Sequence, residues 1–162
     1  MLSRRSPGRM PAAALLPAAA LLALVLYPAA ARADRCDDIA LQLNNQIDGV
    51  VIGKTRANSI YLSHPAAAQV RLGCASRNVS NELSATAASR KPSPAFLQFV
   101  AGASAIVFTI PKADTLRGAS RCLGRLGLLR GDDVKTRYRR LDMHCSRGTS
   151  SASITIARGR DE

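Results

Sequence analysis

Two histidines, His64 and His144, are the side chains of this 162-residue chain best suited to proton transfer near neutral pH. His64 precedes Pro65 in a stretch that cannot continue an interior strand, a loop position of the kind where functional side chains gather. His144 adjoins Cys145, and strand neighbours point to opposite faces, so these two do not form a nucleophile–base pair. Each histidine is read as a surface or hydrogen-bonded structural residue. The carboxylates gather in two adjacent pairs, Asp37 with Asp38 and Asp132 with Asp133. Glycoside hydrolysis needs two carboxylates facing one another across about 5–10 Å. Sequence neighbours diverge instead, and a helix start and a turn account for the two pairs. The chain carries no Gly-x-Ser-x-Gly elbow, no His-Glu-x-x-His zinc motif and no Gly-rich phosphate loop. No catalytic, cofactor-binding or metal-ligating residue is assigned on these patterns.

The four cysteines, Cys36, Cys74, Cys122 and Cys145, are spaced by 38, 48 and 23 residues, unlike any Cys-x-x-Cys metal or redox motif. An even count in an oxidising compartment points to two disulfides. Of the three pairings, Cys36–Cys74 with Cys122–Cys145 closes the shorter loops and is the one expected.

The strongest signal beyond structure is basic. Arg117, Arg121 and Arg125 recur every four residues, and Lys135, Arg137, Arg139 and Arg140 crowd the segment that follows. If the two segments pack together, they present one basic surface to an anionic partner: a phospholipid or lipopolysaccharide head group, or an acidic protein. Peripheral membrane contact belongs to that reading. Nucleic acid does not, because beyond residue 33 there are five aromatic residues and no Trp, too few for stacking platforms.

Compartment decides much of this. Arg4, Arg5 and Arg9 give a basic start, and an apolar stretch over residues 11–31 follows. Pro28 breaks that stretch, and Ala31 and Ala33 supply the small residues of a cleavage site. Residues 1–33 are read as a cleavable signal peptide and residues 34–162 as one exported domain with a polar tail over 158–162. Cys36 lies too far past Ala33 for lipidation, and Ser6, Pro7 and Gly8 after the arginine pair favour the ordinary secretory route. The alanine- and arginine-rich composition suggests a bacterium, and hence the periplasm or the medium. Removing Arg4, Arg5, Arg9 and Arg32 leaves 19 basic against 11 acidic residues, a net charge of +8.

The elements that must position these residues are legible in outline. Residues 34–45 predict a helix with Asp37 and Asp38 in its first turn. Residues 50–52, then Ile60 and Leu62, then Val70, Leu72 and Cys74 predict strands, and residues 82–86 a weaker one. Ser93 or Pro94 opens a second helix to about residue 104, followed by a β-branched strand over 106–110. A third helix is expected over 113–129. Val134, Thr136 and Tyr138 share one parity and Leu141, Met143 and Cys145 the other, which predicts a bulge near Arg139 and Arg140. A last strand covers 151–157. The sum is a small α+β domain, a mostly antiparallel sheet with about three helices on one face, braced by two disulfides.

The function expected is non-catalytic: an exported basic domain that binds an anionic surface or acidic partner. One alternative is a small envelope hydrolase that uses His64 with a carboxylate distant in sequence. Another is a structural envelope protein or secreted inhibitor.

Overall fold

The computed structural model describes residues 35–74, 81–127 and 131–159, so the expected signal peptide lies outside the described residues. The elements run α1 (Arg35–Gln46), β1 (Val51–Arg56), β2 (Ser59–His64), β3 (Ala67–Gly73), β4 (Glu82–Ala87), α2 (Pro94–Phe108), α3 (Lys112–Gly124), β5 (Asp133–Tyr138), β6 (Leu141–Arg147) and β7 (Ala152–Arg158). The seven strands form one sheet in the order β1-β2-β3-β4-β7-β6-β5, and every neighbouring pair is antiparallel. This is the expected α+β architecture, with both expected disulfides, Cys36–Cys74 and Cys122–Cys145.

Period-two alternation aims one row of each of the five inner strands at the helices. Ile60, Leu62, Val70, Leu72, Leu83, Ala85, Ile154, Ile156, Leu141 and Met143 make that row and are buried. β4, the weakest strand by composition, is the fourth of seven. Its core-facing Ala85 and Ala87 have poor strand propensity, yet their small size suits the helix packed over them, α2.

α2 overturns one expectation. Residues 106–108 continue the helix instead of starting a strand. Phe96, Phe99, Val100, Ala103 and Val107 recur at helical spacing and are all buried, so tertiary burial outweighs the β-branched preference of Ile106 and Val107. The helix begins at Ser93, whose Oγ accepts from the Phe96 N–H at 3.1 Å, with Pro94 in the first turn. It ends at Thr109, whose φ of 56° is left-handed.

α3 stops at Gly124, short of the expected residue 129. The Gly127 N–H donates to the Gly131 carbonyl, which closes the exit loop; residues 128–130 lie outside the described residues. The Thr115 hydroxyl donates to the Ala101 carbonyl at 2.8 Å and fastens α3 to α2. Gly118 lets α3 lie close to the sheet, because a Cβ there would stand 2.6 Å from Met143 Cε and 3.1 Å from Tyr138 Cδ1.

The β5–β6 hairpin corrects a second expectation. Tyr138 pairs with Leu141, and the register runs without a shift to Asp133 and Ser146. No bulge is needed, because a two-residue loop pairs residues whose numbers sum to an odd value. Opposite parity on one face is therefore the ordinary outcome. Arg139, the first loop residue, takes a φ of 57°. At the far end, Arg158 belongs to β7 and not to a tail, and its guanidinium donates to the Phe108 carbonyl at 2.6 Å.

Candidate functional site

The two histidines occupy different surroundings. His64 ends β2, where its ring stacks on Phe99 with centroids 4.0 Å apart and planes 12° from parallel. Its Nδ1 accepts from the Ala66 N–H at 3.1 Å, which holds the turn at Pro65. Burial pushes its pKa below the usual value near 6.5, and a bond to the Asp48 backbone opposes part of that shift. The fold thus prefers the neutral ring. Its share of stability is full above about pH 6.5 and declines as pH falls from there through the folded-state value. A proton NMR titration of His64 should give a midpoint below 6.5; one at or above 6.5 would contradict this packing.

His144 faces away from the helices, and its Nε2 lies 2.7 Å from Asp133 Oδ2. Neighbouring Asp132 turns to Arg90 at 3.7 Å, so this carboxylate pair serves two separate partners. Asp37 and Asp38 are exposed in the first turn of α1.

The basic residues fall into two groups. Arg117 and Arg121 on α3, and Arg125 at its C-cap, are exposed and lean toward the helix-facing side of β5. Arg121 lies over the Tyr138 ring, 5.8 Å from its centroid, and Arg125 donates to the Thr136 hydroxyl at 3.3 Å. Arg139 joins them, since Asp114 stands 3.8 Å from both Arg117 and Arg139. Lys135 and Arg137 alternate with Val134, Thr136 and Tyr138, so they sit on the opposite, open face of the sheet. There Arg137 meets Asp142 at 3.7 Å. Arg140 is exposed in the hairpin loop between the groups. The seven residues do not form one surface; β5 divides them.

A second basic locus was not read from the sequence. A cleft of about 490 Å³ opens between the loop before α2, the first turn of α2 and the end of α3. Pro92, Leu97 and Leu123 give it apolar walls, Ser120 and Gly124 come from the exposed side of α3, and Arg90, Lys91 and Arg147 supply three cations. No carboxylate stands among the described residues that line it. Its size is in the range of small-molecule sites. Arg147 was findable, because it shares the parity of Leu141, Met143 and Cys145. A cation at a core-facing position at a sheet end must emerge on the helix side. Arg90 and Lys91 precede a helix start, and no local window distinguishes them from ordinary loop residues.

α3 connects the two loci, with Ser120 and Gly124 on the cleft flank and Arg121 and Arg125 on the flank toward β5. Compared with known proteins, the chain matches no family model, no curated protein and no solved structure.

Proposed function

We propose that this is an exported, non-catalytic binding protein whose helical side holds an anionic surface or an acidic partner. The observation that carries the reading is the exposed arginine row of α3, joined by Arg139. Four guanidinium groups share that corner, and one carboxylate, Asp114, faces two of them. The net charge of +8 beyond residue 33 agrees with it. Export is supported by the basic, apolar and small-residue succession of residues 1–33 and by two disulfides. Among the described residues no helix is long and apolar enough to cross a membrane.

The test is binding to vesicles with and without anionic lipid at rising salt. Affinity for anionic vesicles should fall steeply as salt screens the arginines. The triple variant R117Q/R121Q/R125Q should bind about a hundredfold more weakly at low ionic strength, taking about 1 kcal/mol per basic residue near an anionic surface. An affinity indifferent to salt and to these substitutions would refute the proposal.

A further inference from the structure

We infer that the cleft beside α3 is a site for a free single-chain amphiphilic anion: a carboxylate or phosphate head on an apolar body. This rests on the reading of the protein as a binder of anionic partners and names a ligand class for a distinct place on it.

Three observations converge. The first is the pairing of charge with grease. Arg90, Lys91 and Arg147 border a concavity whose walls are Pro92, Leu97 and Leu123. A purely ionic ligand would leave those walls wet, and a purely apolar one would leave Lys91 and Arg147 without a counter-charge. A ligand with both parts satisfies both requirements.

The second is a contrast between two arginines at the helix-facing parity of the sheet. Arg158, at one end, has its acceptor inside the fold, the Phe108 carbonyl at 2.6 Å. Arg147, at the other end, has a buried Nε without a hydrogen-bond partner, and no carboxylate of the described residues pairs with it. A partly desolvated guanidinium that the protein does not match is positioned to be matched from outside, and a carboxylate or phosphate suits its fork.

The third is that the rim is already arranged. Ser89 Oγ donates to the Lys91 carbonyl at 2.6 Å, and Arg90 is drawn to Asp132 at 3.7 Å. The Ser93 cap fixes the first turn of α2, from which Leu97 projects. Little ordering is left for the ligand to impose, which favours binding of a small molecule.

Calorimetric titration of the mature, disulfide-intact protein tests this. With hexanoate, octanoate and decanoate, affinity should rise by up to about fourfold per added methylene until the cleft is full. Octanoate should bind at least about tenfold more tightly than octanol, and R147Q should remove about that factor. G124L provides the control, since a Cβ at Gly124 meets nothing within 4 Å and the net charge is unchanged. That variant should fold with an undiminished melting temperature and lose octanoate by filling the cleft, while binding to anionic vesicles persists. Equal affinity for octanoate and octanol, inorganic phosphate binding as tightly as octyl phosphate, or octanoate binding untouched by R147Q and G124L would each overturn the inference. Octanoate binding retained alongside vesicle binding that ignores salt would instead overturn the proposed function and leave the cleft assignment standing.

Discussion

Replacing Cys122 and Cys145 together by alanine should lower stability by about 3–4 kcal/mol. The bridge closes a sequence separation of 23 residues and ties the last turn of α3 to the middle of β6. In the chain-entropy account, opening a loop of that length releases roughly that much conformational freedom in the unfolded chain. Packing adds to it. Both cysteines are fully buried where α3, which Gly118 allows to approach Met143, meets β6. Alanine leaves no unmatched polar group there, so the loss reports the cross-link and a small void. Urea melts of the double variant against the parent measure it, with a lower midpoint and a slope that rises as the unlinked denatured chain exposes more surface. A loss under about 1 kcal/mol would mean that α3 and β6 hold together without the bond.

Phe96→Ala should cost about 3–5 kcal/mol, comparable to losing the disulfide, for a different reason. Phe96 is fully buried, and its own N–H is held by Ser93 Oγ, so the residue cannot slide along the helix to refill the space. The ring lies in the single cluster that joins the sheet to all three helices, where an aromatic vacancy relaxes only partly. Phe96→Leu, which keeps most of the volume, should cost about 1–2 kcal/mol. The graded pair separates cavity formation from damage to the cap: if both variants lose the same amount, the cap and not the cavity is what they disturb.

Much of the architecture was legible because it follows local rules. α1 and α3 carried one-sided apolar spacing, β2 and β3 carried clean alternation, and the cysteine spacings chose the correct pairing. The segment at 106–108 misled because β-branched residues suit either a strand or a helix buried on most sides. What decides is the presence of the sheet and α3 around it, and no local window contains them. The supposed bulge at Arg139 was a different error, since the parity change already encoded the two-residue turn.

The basic residues divide the same way. That Lys135 and Arg137 must leave the α3 side was implicit in the alternation with Val134, Thr136 and Tyr138. The cleft was not, because its three cations come from positions 90, 91 and 147, brought together by the α2–α3 layer. A site of that kind is a property of topology before it is one of sequence.

The strand order has a consequence for how the molecule comes into being. β4 finds its outer neighbour in β7, so contacts such as Ser84 to Thr155 span 71 residues. A nascent chain must hold β4 as a bare edge while both remaining helices and two more strands are made, a long exposure for a row of unpaired amides. Each disulfide lies wholly on one side of that late seam, Cys36–Cys74 with the first four strands and Cys122–Cys145 with the last three. Oxidation can therefore lock either half before the halves meet, but it cannot join them. A chain cut before Ala152 would add two open edges, β4 and β6, to those of β1 and β5, and would be a substrate for chaperones or aggregation more than a shorter version of the same protein.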